Sequence, residues 1–237
     1  MSDFAKTLWA VALLLAAIAF AASPFLSSGF NGFSPDQFPV PQEDPPVQPA
    51  GYAFSIWGLI YLWLIAGAGF GLLKRRDEAD WAEARPILTL SLVIGAAWIP
   101  IANASVFWAT VMIWAMLGTA LAALFRVGDE DRFWQLSPVA IYAGWLTAAA
   151  SVSIGLVIAG YGYLGGTEAA ILALIIALSI AVVVQYRLHR APEYGLTVIW
   201  ALVGIIVSNT APLNIAVVGL AILGIVAILA LRGTDTE

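Results

Sequence analysis

The sequence predicts an all-α, polytopic transmembrane bundle of about eight helices. Three observations predict it. Hydrophobic residues make up 62% of the 237 and charged residues only 11%, against roughly a quarter charged in an ordinary soluble domain. Mean hydropathy is +0.92. The apolar residues fall in continuous runs of membrane length, not in the alternation of a β-barrel strand.

The runs predict spans at about 8–27, 50–73, 86–102, 104–125, 136–160, 168–187, 194–210 and 212–231. The third and seventh are short and end in tight turns near Asn103 and Pro212. The loop 28–49 is rich in Pro, Gly and Ser and reads as irregular. The first span also has the layout of a cleaved signal peptide, with Lys6, an apolar stretch and "AFAAS"; it is read as retained.

Charge gives the direction. With eight spans, all ten Lys and Arg fall on one side: Lys6, Lys74, Arg75, Arg76, Arg85, Arg126, Arg132, Arg187, Arg190 and Arg232. The positive-inside rule makes that side, and both termini, cytoplasmic. The opposite loop 28–49 carries Asp36, Glu43 and Asp44. The expected location is the bacterial cytoplasmic membrane, with the bilayer as a partner, no nucleic acid, and a homodimer as an open state.

No ionisable residue is expected deep inside a span, which disfavours ion-coupled pumps. The absence of cysteine and the single His189 leave no thiolate or histidine-rich metal site. No nucleophile–base or acid–base pair is visible within the spans, so an enzyme would need light-driven or radical chemistry on tryptophan. The intramembrane polar groups are neutral: Ser55, Ser91, Thr110, Thr147, Ser151, Ser153 and Ser208, with Asn103, Asn209 and Asn214 at turns. Most read as helix-to-helix ties or caps. Gly67 and Gly71, four apart, read as a close-packing site.

Aromatics are the strongest signal. Seven of the ten tryptophans lie within spans: Trp57, Trp63, Trp98, Trp108, Trp114, Trp145 and Trp200. Trp57 and Tyr61 are four apart, and Tyr142, Trp145 and Ala149 share a helix face. An indole N–H in a membrane needs a partner, which favours a protein interior or a ligand. Flat rings with neutral donors suit a flat apolar ligand. For any single ring, packing between helices is a commoner explanation than ligand contact; the ligand reading rests on the set.

Three motifs carry a resemblance. "PAGYAFSIWGLIY" at 49–61 resembles the loop-to-second-helix signature of the TspO/translocator-protein family, the tryptophan-rich sensory proteins. "AAWIPIANASVFW" at 96–108 is similar to that family's Trp-Ser-Pro turn, with Trp98 and Pro100 matching. "PVAIYAGWLTAAA" at 138–150 resembles its fifth-helix pattern through Tyr142, Trp145 and Ala149. The matches cover roughly 1–160, a five-helix core with the outer loop; residues 161–237 then form three additional helices and a tail. Three departures stand out: Tyr52 replaces a loop tryptophan, Gly95 stands where the family often has Asn, and Ser153 lies near its fifth-helix Asn.

The resemblance implies a porphyrin or sterol-like ligand in a pocket opening toward the first loop. Its expected lining is Tyr52, Phe54, Trp57, Tyr61, Trp98, Asn103, Trp108, Tyr142, Trp145 and Ala149. No cofactor is required; a porphyrin or haem would be a ligand held by stacking and shape, because no intramembrane histidine offers an axial bond. The family role is sensor or carrier. A transporter of another neutral solute and a light-dependent porphyrin-degrading enzyme are the alternatives.

Overall fold

A computed structural model describes residues 1–27, 30 and 32–233. Ser28, Gly29 and Asn31 of the outer loop, the tail from residue 234 and the Arg232 side chain lie outside the described residues.

Eight α-helices form among the described residues, and no β-strand. They are α1 (Asp3–Leu26), α2 (Ile56–Lys74), α3 (Ala79–Ala104), α4 (Val106–Leu124), α5 (Ser137–Gly160), α6 (Gly166–Arg187), α7 (Pro192–Ser208) and α8 (Ile215–Gly233). A 3₁₀ turn, Gly51–Ser55, leads into α2, and a π turn, Arg132–Leu136, leads into α5. Helices α1–α6 are each long and apolar enough to cross a membrane; α7 and α8 are shorter apolar helices. Large outward-facing residues such as Leu15, Leu62, Leu90 and Leu223 are exposed. Such a surface is stable only against lipid, and the chain is an integral membrane protein.

Helix ends follow local chemistry. Ser2 caps α1 by accepting from the Ala5 N–H, and Ser105 caps α4 by accepting from Trp108 N–H. Asn214 caps α8 through the Val217 N–H while its amide donates to Thr167. Asn209 instead reaches back, donating to Pro46 O in the outer loop.

Helix α5 is the axis. It packs against α4 and α2 on one side and against α6 and α7 on the other. Nearly all its residues are buried, and many are Ala, Gly or Ser. A helix buried all round has no polar face to keep, which explains the even apolar run. Helices α1, α2, α3 and α4 form one half of the bundle, with α1 against α2 and α3 and α3 against α4. Helix α8 packs on α6 and α7 at the far side.

The structure departs from the sequence expectation at α3, which begins seven residues early, at Ala79. The charged segment 79–85 hides this start from a hydropathy reading. It nonetheless buries Trp81 and Arg85. Arg85 therefore lies inside a helix at 1% exposure, not in a loop. Its guanidinium donates to the carbonyls of Gly71, Arg75 and Arg76 at the C-terminal end of α2, where unpaired carbonyls welcome a cation.

The basic end is laced together. Asp131 accepts from Arg75 at 2.7 Å and from the Trp81 indole at 2.9 Å. Glu193 accepts from the single Arg132 Nη2 on both carboxylate oxygens, each at 2.7 Å, and from the Ser137 hydroxyl. Arg190 pairs with Asp129 at 2.6 Å. These contacts join α2, the α4–α5 connection and the start of α7. At Gly67 and Gly71 the close approach is real: a Cβ would collide with the Trp134 carbonyl at the first and with the Trp81 ring at the second.

Candidate ligand cavity

Four tryptophans use the indole N–H to reach a backbone carbonyl on another element. Trp63 donates to Phe133 O, Trp98 to Ala109 O, Trp114 to Ala150 O and Trp200 to Ala53 O, at 2.8–3.1 Å. These are ties from one element to another. Trp145 differs. It is 2% exposed, and its Nε1 has no hydrogen-bond partner among the described residues.

Trp57, Trp98 and Trp145 line one chamber. Phe54, Ile113, Ala149, Val152 and Ser153 complete its walls, and Phe30, Phe33, Gln48 and Pro49 close it from the outer loop. Its volume is about 60 Å³. A second chamber of about 200 Å³ shares Phe30, Phe54, Trp57, Trp98 and Ile113 with the first and adds Phe20, Tyr61, Gly95 and Met116. The two adjoin across these shared residues and together make up the aromatic cavity region beneath the first loop.

The rings are mutually braced. Trp57 and Tyr61 stack at 5.4 Å with 16° between their planes, as their four-residue spacing on α2 allows. Phe54 and Trp57 each meet Trp145 edge to face, at 5.7 and 6.1 Å. Phe20 of α1 sits edge-on to Trp57, Tyr61 and Tyr142. Phe30 meets Trp98 at 4.7 Å. Edge-to-face contacts of this kind add about 0.5–1.5 kcal/mol beyond burial.

Polar groups are few and mostly satisfied. Ser91 donates to Met116 O at 2.9 Å, so in its 3.0 Å bond with Tyr142 the phenol is the donor. Thr110 donates to Val106 O, so Ser153 donates to Thr110. That leaves the buried Trp145 N–H without a protein acceptor among the described residues.

Of the residues expected to line a pocket, the structure gathers Phe54, Trp57, Tyr61, Trp98, Trp145 and Ala149 around the cavity. Tyr142 is fully buried behind it, against Phe20 and Ser91. Tyr52 lies outside, 44% exposed and edge-on to Trp200. Trp108 is 59% exposed on the outer face of α4. Asn103 is exposed, and its carbonyl accepts from Gln37 of the outer loop. Phe20, Phe30, Phe33 and Ile113 are among the lining residues that sequence reasoning missed. They are apolar residues in apolar surroundings and leave no pattern to find.

Beside the cavity, a cleft of about 480 Å³ runs between residues 44–51 and the α7–α8 turn. Gln48 and Pro49 line both spaces and so partition them.

No curated protein and no solved structure matches the chain. A family model described as TSPO-like protein matches residues 10–232. The match runs through α6, α7 and α8, beyond the stretch that carries the three motifs. With that extent of agreement, the chain belongs to the TSPO-like protein family.

Proposed function

We propose that the cavity binds a flat, largely apolar molecule, a porphyrin or other tetrapyrrole or a sterol-like compound, and that the protein serves as a membrane sensor or carrier for it. The observation that carries this reading is the meeting of Trp57, Trp98 and Trp145 on one apolar chamber under the first loop. Edge-to-face bracing holds these rings in place without a ligand, which lowers the ordering cost of binding. The free Trp145 N–H adds one requirement: a ligand that offers an acceptor, such as a pyrrole nitrogen or carbonyl.

Size sets a condition. Sites for drug-sized ligands hold about 300–1,000 Å³. The larger lobe holds about 200 Å³, so a tetrapyrrole must displace the loop rings Phe30 and Phe33 to enter. Stacking and shape would then hold it. Met116 is a weak axial donor beside the second lobe, and His189 follows α6 near the basic Arg190. A metal-free porphyrin should bind as readily as haem.

On the positive-inside rule we place the basic end and both termini in the cytoplasm, and the cavity mouth on the opposite side of a bacterial cytoplasmic membrane. Passage of a neutral solute is the second reading, favoured by the cleft that abuts the cavity across Gln48 and Pro49. The deciding experiment titrates purified protein with protoporphyrin and follows tryptophan fluorescence. Saturable quenching, weakened in both Trp57→Ala and Trp145→Ala, supports the site; equal quenching in all three overturns it. Uptake into proteoliposomes separates carriage from binding alone.

A further inference from the structure

Helix α7 lies outside the five helices that carry the motifs, yet one of its faces grips the segment that builds the cavity wall. Trp200, Gly204 and Ser208 are spaced four apart and share that face. The Ser208 hydroxyl donates to Gln48 O at 2.8 Å. The Gly204 carbonyl accepts from the Ala50 N–H at 3.0 Å. The Trp200 indole donates to Ala53 O at 2.9 Å, and Tyr52 packs edge-on against its ring at 5.5 Å. As the chain climbs from 48 to 53 its partners descend from 208 to 200, so the segment runs antiparallel along α7. Contact is close enough that a Cβ on Gly204 would lie 2.9 Å from the side chains of both Pro49 and Ala53.

The gripped residues are part of the cavity or lead straight into it. Gln48 and Pro49 are the partition between cavity and cleft, and Phe54 follows Ala53 directly. A 3₁₀ turn has poorer hydrogen bonds than an α-helix and holds its shape weakly alone. The Gly51–Ser55 turn is such a piece, and it sets where Phe54 and, at the second residue of α2, Trp57 project.

We propose that Trp200 is a positioning residue for the aromatic cavity: through its bond to Ala53 O, α7 fixes the Gln48–Phe54 wall and keeps the cavity closed to the neighbouring cleft. The inference rests on the reading of this cavity as a ligand site, and it gives the helices beyond the core a task in binding. Trp200 itself does not line the cavity.

The chain has no cysteine, so a single Ala149→Cys substitution in the cavity wall gives a clean reporter of access. The full-length reporter protein, in detergent micelles, is alkylated with N-ethylmaleimide alone, in combination with Trp200→Phe, and in combination with Trp63→Phe. Trp63→Phe removes a similar indole bond, to Phe133 O, at the basic end and controls for general loosening. The proposal expects alkylation at least threefold faster with Trp200→Phe and unchanged with Trp63→Phe. It also expects protoporphyrin affinity to fall at least threefold with Trp200→Phe only. Equal alkylation rates in all three proteins, or equal acceleration by both substitutions, overturn it. If protoporphyrin does not bind the parent protein, the ligand reading fails, and the alkylation rates still decide the positioning role.

Discussion

Phe20 on α1 occupies the notch that Gly95 leaves on α3: a Cβ at residue 95 would lie 2.6 Å from the Phe20 ring. The same ring braces Trp57, Tyr61 and Tyr142. One glycine thus admits the phenylalanine that braces two wall aromatics, Trp57 and Tyr61, and the tyrosine behind them.

Gly95→Asn should push Phe20 out of the notch. Overpacking of this kind costs about 1–3 kcal/mol. The expected outcome is a lower melting temperature in detergent together with weaker protoporphyrin binding, because Trp57 and Tyr61 lose their brace. Gly95→Ala should do the same to a smaller degree.

Trp145→Phe keeps an aromatic ring and removes the unmet N–H. A buried donor without a partner costs about 1–3 kcal/mol. The unliganded variant should therefore melt no lower than the parent, and its affinity for protoporphyrin should fall several-fold. Thermal melting and fluorescence titration on the same samples check both halves.

Tyr142→Phe removes a phenol that lies behind the cavity. Ser91 keeps its own bond to Met116 O, so no buried donor is stranded. The loss should be about 0.5–1.5 kcal/mol of stability. Protoporphyrin affinity should not change, since the ring against Phe20 remains.

Glu193→Gln breaks the ion pair in which Arg132 Nη2 meets both carboxylate oxygens, and weakens the bond from Ser137. The Arg132 side chain is 43% exposed, so solvent screens much of the pair, and a loss of about 1 kcal/mol is expected. The difference in melting temperature from the parent should shrink as salt is raised.

What could be read from the sequence follows from what a membrane leaves visible. Spans show because lipid demands length and hydropathy. Their inward faces do not, because lipid and protein interior are equally apolar and no polar stripe marks the outside. Trp108 and Trp145 look alike in sequence, yet one faces outward and the other is buried. Trp57 and Tyr61 were legible by their spacing on one helix. That Trp98 and Trp145 meet them was legible only through the family resemblance, since it depends on how three helices pack. Phe20 and Phe30 were not legible at all. The early start of α3 was hidden by its charges, and the grip of α7 on residues 48–53 by backbone acceptors that no side-chain pattern records.

The most direct measurement compares two triple variants by protoporphyrin titration. One replaces the cavity tryptophans Trp57, Trp98 and Trp145 with phenylalanine; the other replaces Trp9, Trp108 and Trp134, which do not line it. Absorbance of the bound porphyrin, rather than tryptophan emission, reports binding in both, and circular dichroism confirms folding. The account predicts at least tenfold weaker binding in the first and parental affinity in the second. Equal affinity in the two folded variants would contradict it.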